Sequence, residues 1–232
     1  MTERDQTDVV PTDAPPSVPA HLVDDFTPAL VDVGVHHLCP GCGEPIAVRS
    51  LVEAIDEMAL AQRTIAVFGI GCYTAFSNNL DVEVLHAAAR GENITCVMLN
   101  NGVFGETGGH MTATTVLGQR TKTSLDGRDP IAHGRPILLA DLIARLEGTA
   151  YVARCAVNSA GELARTHRAL RRALDTQLAG AGFSFVEILT MCPTGWFVET
   201  TEAPQYLADN LGSVHRAGVL KDVRSEGEAP TG

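Results

Sequence analysis

ITCVMLNN (94–101) breaks directly into GVFGETGGHMTATT (102–115). A short continuous apolar run that ends in turn residues is the pattern of a strand buried on both faces. The same pattern recurs on either side, in TIAVFGIGC (64–72), YVARCAV (151–157) and FSFVEIL (183–189). Between these runs lie segments of helical spacing. PIAVRSLVEAIDEMAL (45–60) has Pro45 at a first-turn position, with Ile46, Leu51, Ile55 and Met58 on one stripe. VLHAAARG (84–91) reads as the end of a helix stopped by Gly91. ILLADLIARLE (137–147) and AGELARTHRALRRALDTQLA (160–179) are two further helices. Strand–helix alternation with unbroken apolar strands predicts an α/β fold, a parallel sheet with helices on both faces. No internal repeat is present.

The 232 residues suffice for one large domain or two small ones. A formal charge of −11 disfavours binding to a nucleic-acid phosphate backbone. The charge is uneven: residues 1–35 carry seven acids and one base, a balance of −6, with Pro11, Pro15, Pro16 and Pro19. This acidic, Pro-rich stretch is expected to be an N-terminal tail. The domain itself is expected over 36–220, with a C-terminal tail over 221–232 that includes SEGEAPTG (225–232). No apolar run approaches the about 20 residues that span a bilayer, and the N-terminal segment lacks a signal-peptide core. The expected location is cytoplasmic.

Six cysteines in a reducing compartment point to metal, cluster or redox chemistry. Cys39 and Cys42, in CPGCG, present two thiolates on one tight turn, a half-site for zinc or iron. Cys72 and Cys192 sit at strand C-termini, where ligands bind in open parallel sheets; they are either further ligands or small buried fillers. Cys96 and Cys155 lie inside apolar strands and read as fillers. In the loop after 94–101, Asn and backbone oxygens suit a hard cation such as Mg²⁺, and Thr107-Gly108-Gly109 offers amides and a hydroxyl to a phosphate.

Together CPGCGEP (39–45), GIGC (69–72), ENITCVMLNNGVFGETGGHMTATT (92–115) and MCPTGW (191–196) resemble the β subunit of 2-oxoacid:ferredoxin oxidoreductases, which carries thiamine diphosphate. The likeness runs from about His36 to Trp196. It implies a thiamine-diphosphate-binding fold and a [4Fe-4S] cluster on Cys39, Cys42, Cys72 and Cys192. It also implies Mg²⁺ on the Asn101 side chain and the Val103 carbonyl. Thiamine diphosphate would be held by Ile70, Gly71, Cys72 and Tyr73, and by Gly105 and Thr107. The implied reaction is oxidative decarboxylation of a 2-oxo acid with coenzyme A as acyl acceptor and ferredoxin as electron acceptor. The TGGHMTATT form is most like members that act on branched-chain 2-oxo acids or 2-oxoglutarate. An α, or α and γ, partner subunit is implied to complete the site.

The sequence departs from that pattern in one place. Family members carry a His-Gly-Arg helix and a strand ending in Gly-Asp-Gly, whose Asp is a Mg²⁺ ligand; here SNNLD (77–81) runs straight into VEVLHAAARG (82–91). A strand–helix unit on the order of 30 residues is missing. The alternative reading is therefore a non-catalytic paralogue that binds a cluster or zinc and serves as an interaction subunit. Glu44 and Glu106 read as solvated loop acids, and His110 is a candidate polar group of the active site. His36 and His37 read as surface or partner-facing residues. Trp196 either shields a cluster or packs in the core. Arg165, Arg168, Arg171 and Arg172 form a solvated helix face, with docking of an acidic carrier as the alternative.

Overall fold

The computed structural model describes residues 38–66 and 82–223. In chain order the elements are α1 (Glu44–Glu57), α2 (Val82–Arg90), β1 (Thr95–Asn100), a small hairpin of β2 (Val103–Phe104) and β3 (His110–Met111), and α3 (Leu139–Ala144). Then follow β4 (Thr149–Ala156), α4 (Ala160–Leu178), β5 (Phe183–Leu189), α5 (Pro193–Trp196), α6 (Ala203–Asp209), α7 (Leu211–Val214) and β6 (Gly218–Asp222). The main sheet has the order β1-β5-β4-β6. β1, β5 and β4 are parallel, whereas β6 runs antiparallel along the β4 edge.

Every residue of β4 and β5 is buried, as a strand covered on both faces requires. On one face Val97, Leu99, Tyr151, Ala153, Cys155, Val186 and Ile188 pack against α1 and α4. α4 turns the stripe Thr166, Ala169, Leu170, Ala173 and Leu174 toward them. Its start is fixed by Ser159, whose side chain accepts from the Glu162 amide at 3.2 Å. On the opposite face Met98, Val152, Phe183 and Phe185 meet Ala88 of α2 and Leu139, Ala140 and Ile143 of α3. The sheet is thus covered by helices on both sides.

Several boundaries differ from the sequence reading. The expected helix over 137–147 is regular only from Leu139 to Ala144. The strand expected at 64–72 has no strand geometry at Thr64–Ala66, and the rest of it lies outside the described residues. β6 was not foreseen, and its Lys221 and Asp222 belong to the segment read as a tail. Asp222 accepts a bidentate pair from Arg172, at 2.9 Å from Nε and 2.6 Å from Nη2, which fastens this edge strand to α4. Arg165 pairs with Glu162 and Arg171 with Glu57, so three of the four arginines on that helix are engaged with carboxylates of this chain. The solvated-face reading fits them better than carrier docking. No helix among the described residues is long and apolar enough to cross a membrane.

Candidate functional site

Because β1, β5 and β4 are parallel, their C-terminal ends share one edge, and the loops leaving them meet there. Asn101 to Phe104 follows β1, and Thr190 to Cys192 follows β5; the Thr190 amide donates to Asn100 O at 3.0 Å and joins the two. The CPGCG turn is brought to the same edge. Cys42 N donates to Cys39 O at 3.1 Å to close the turn, and Gly43 N donates to Met191 O at 2.9 Å. A Cβ on Gly43 would stand 2.5 Å from Met191 N, so only glycine allows this approach of two backbones. The clamp places Cys39 and Cys42 beside the segment that carries Cys192.

Cys39 is exposed, and Cys42 and Cys192 are half-buried. Cys72, and with it Ile70, Gly71 and Tyr73, lies outside the described residues. Among the described residues no three Cys, His, Asp or Glu side chains gather closely enough to hold a single ion. Cys96 is half-buried and Cys155 buried in their strands, and burial pushes both thiols up to about 11. Protonated thiols are not metal ligands, which fits their reading as fillers.

The loop after β1 is built around two asparagines. Asn101, only 2% exposed, accepts from the Val103 amide through Oδ1 at 3.0 Å and donates from Nδ2 to Glu44 Oε1 at 3.1 Å. Its carbonyl accepts from Trp196 Nε1 at 2.7 Å. Val103 is fully buried among Met191, Trp196 and Leu189. Gly102 has φ +69°, and a Cβ there would lie 2.9 Å from Gln119 Oε1. Asn101 Oδ1 and the backbone carbonyl at Val103 are hard oxygen donors with no sulfur or nitrogen in the set, the chemistry Mg²⁺ requires. The residues present fit a hard cation.

Glu44 corrects the sequence reading. It is 7% exposed, not solvated, and burial together with the neighbouring Glu106 charge holds its carboxyl above the usual carboxylate range. Pro45 marked the start of α1, but the burial of Glu44 comes from its packing against the Asn101 loop. Trp196, which stacks 4.9 Å from Tyr206 at 31°, is a core residue that also holds the Asn101 carbonyl.

The phosphate turn is more closed than expected. Gly108 N donates to Gly105 O and Gly109 N to Phe104 O, at 2.9 and 2.8 Å, while the exposed Thr107 hydroxyl donates to Phe104 O at 3.3 Å. Two amides and the hydroxyl are thus engaged within the turn. Sequence reasoning missed Lys122: its Nζ is 3.0 Å from the position a Gly108 Cβ would take, which sets an ammonium beside this turn. His110, in β3, is half-buried.

Asn100 forms the floor of the loop. Its Oδ1 accepts from Gly102 N at 3.0 Å and from Thr114 Oγ1 at 2.9 Å, and its Nδ2 donates to Glu187 Oε1 at 2.6 Å. Glu187 in turn accepts from Arg154 Nε at 2.7 Å, and Arg154 Nη2 reaches Asp141 at 2.7 Å. His215, fully buried, makes a 2.9 Å bond through Nε2 to Thr114 O. Arg154, Glu187 and His215 were not singled out from the sequence, and Asn100 was read there only as part of the loop after β1.

The family described as "Thiamine pyrophosphate enzyme, C-terminal TPP binding domain" matches residues 37–188. The chain belongs to this family. Among its relatives is the ketoisovalerate oxidoreductase subunit VorA of Methanothermobacter marburgensis, 28% identical over 233 positions, covering 83% of this chain and 49% of the relative. The 2-oxoglutarate synthase subunit KorB of Archaeoglobus fulgidus is 27% identical over 214 positions, covering 75% of this chain and 76% of the relative. The chain therefore spans about half the length of VorA. Of its 232 residues, 83% is about 193, so a 233-position alignment leaves about 40 positions of VorA without a counterpart. The fold is that of the 2-oxoglutarate:ferredoxin oxidoreductase from Magnetococcus marinus, with a TM-score of 0.66 at 18% identity, over 86% of this chain and 84% of that one. The thiamine-pyrophosphate domain thus includes α1, β1, the loop that bears Asn101, β4 and nearly all of β5.

Proposed function

We propose that this chain is the thiamine-diphosphate-bearing subunit of a 2-oxoacid:ferredoxin oxidoreductase. It would act in the cytoplasm with an α, or α and γ, partner subunit, and oxidise a branched-chain 2-oxo acid or 2-oxoglutarate to its acyl-CoA. The observation that carries this reading is the clamp from Gly43 N to Met191 O, which puts the CPGCG turn and Cys192 at the sheet edge that also bears Asn101. Membership of the thiamine pyrophosphate family supports it, and so do relatives that are named as subunits of 2-oxo acid enzymes.

Thiamine diphosphate, when bound, supplies the carbon nucleophile and electron sink for decarboxylation of a 2-oxo acid. Asn101 Oδ1 and the Val103 carbonyl would hold its Mg²⁺, and Lys122 beside Gly108 would face its diphosphate. Cys39, Cys42, Cys72 and Cys192 would hold a [4Fe-4S] cluster, which supplies one-electron transfer to ferredoxin. Val103, Met191 and Trp196 form an apolar backing that keeps water from the buried side of the cation loop.

Two substitutions test the cluster assignment. Chain prepared without oxygen is expected to show a broad absorbance at about 400 nm, the thiolate–iron band of such clusters, and an electron paramagnetic resonance signal on reduction. Cys39→Ala abolishes both, and Cys96→Ala retains both. Equal behaviour of the two variants, or bound zinc without the absorbance, contradicts the assignment.

A further inference from the structure

Glu44 stands two residues beyond Cys42, on the first turn of α1, and faces the loop that bears Asn101. The residue is more than nine-tenths buried, yet none of the ion pairs among the described residues includes it, and its carboxylate accepts from the neutral Asn101 amide. A carboxylate taken out of water without a counter-charge is costly, and the cost is relieved by taking up a proton or by a cation set against it. The side chains around it name that cation's chemistry. Asn101 Oδ1 and the Val103 carbonyl are neutral oxygens, adequate in geometry for a hard divalent ion but without the negative charge such an ion requires.

We propose that Glu44 supplies the negative charge of the cation site at the Asn101 loop and orients Asn101 toward the ion. The orientation is visible in the hydrogen bonds. Val103 N can only donate, so it fixes Oδ1 on the loop side; Glu44 takes Nδ2 on the other. An amide held at both ends cannot turn its nitrogen toward a cation. This role also explains how a chain with no Gly-Asp-Gly segment keeps a carboxylate at the site, and it ties the turn bearing Cys39 and Cys42 to the cation loop through one side chain. The inference rests on the thiamine–magnesium reading above.

Binding of Mn²⁺ to the full chain tests it, read as loss of the free-ion resonance signal in the presence of thiamine diphosphate. Glu44→Gln keeps an acceptor for Asn101 Nδ2 and removes only the charge. It is expected to weaken Mn²⁺ affinity by about 10- to 100-fold, the usual effect of losing an outer-shell partner or ligand, with the thermal midpoint of the metal-free chain unchanged. Asn101→Asp in the Glu44→Gln background returns a carboxylate to the loop and is expected to regain most of that loss. Wild-type affinity in Glu44→Gln overturns the proposal, because a neutral, protonated Glu44 would behave this way. Failure of Asn101→Asp to recover affinity also overturns it, by showing a structural role alone. If the wild-type chain binds thiamine diphosphate by calorimetry and the variants match it, only the Glu44 role falls; if the wild type binds neither thiamine nor Mn²⁺, both readings fall.

Discussion

Glu187→Ala is expected to destabilise the folded chain by about 3–5 kcal/mol, the usual consequence of breaking a buried ion pair by removing one partner. Glu187 is fully buried and Arg154 only 2% exposed, with 2.7 Å between them. Alanine would strand the guanidinium, whose remaining carboxylate is Asp141, and would orphan Asn100 Nδ2 at the same stroke. The loss does not stay local. Asn100 Oδ1 is what Gly102 N and Thr114 Oγ1 hold, so the loop that bears Asn101 loses its floor. Glu187→Gln is expected to recover only part of the loss, because its amide nitrogen would face the Arg154 donor. Denaturant titration of the variants measures this, and a midpoint shift under about 1 kcal/mol in equivalent stability would contradict the account of a buried, coupled pair.

The second large effect falls on Arg128. Its guanidinium donates to six backbone carbonyls: Thr112, Ala113 and Thr115 on one side, and His133, Gly134 and Arg135 on the other, at 2.7–3.2 Å. Five N–H groups serve six acceptors, so one hydrogen is shared. No carboxylate joins the set, and burial holds the guanidinium below its ordinary pKa. Arg128→Met is expected to cost about 3 kcal/mol or more, since hydrogen bonds to a charged donor contribute roughly 1.5–3 kcal/mol each and several carbonyls would be left partly dry. Lysine, with three donors from a single point, cannot span the two loops and should restore less than half of the loss. The loss should register first as faster amide exchange at Thr114 and Thr115, which sit between Arg128 and the loop that bears Asn101. Unchanged exchange at these amides would remove Arg128 from its place in the site.

Much of this fold was written plainly in the chain. α4 was visible at both ends because Ser159 caps it and its stripe of small and apolar residues keeps helical spacing. β1, β4 and β5 were visible because buried parallel strands are apolar throughout. β6 was not, since two of the five residues of GVLKD are charged, three are exposed, and the strand owes its place to Arg172 and a single neighbouring strand. α6 escaped notice although Ala203-Pro204 is a start signal of the kind recognised at Pro45. The candidate site divides in the same way. Asn101 and Val103 were legible from the loop after β1, but Glu44 was misjudged because a Glu between Gly and Pro resembles a solvated acid until its partner, 57 positions away, is known. Arg154 and Glu187 were hidden inside YVARCAV and FSFVEIL, where a lone charge in an apolar strand was itself the sign of a buried pair.

This chain is expected to hold thiamine diphosphate although no Gly-Asp-Gly precedes VEVLHAAARG (82–91). The direct measurement is the thiamine content of the full chain purified without oxygen together with its partner subunit, by acid release and quantitation against protein. The account predicts close to one thiamine diphosphate per chain. Protein that retains none, even after incubation with thiamine diphosphate and Mg²⁺, would contradict it.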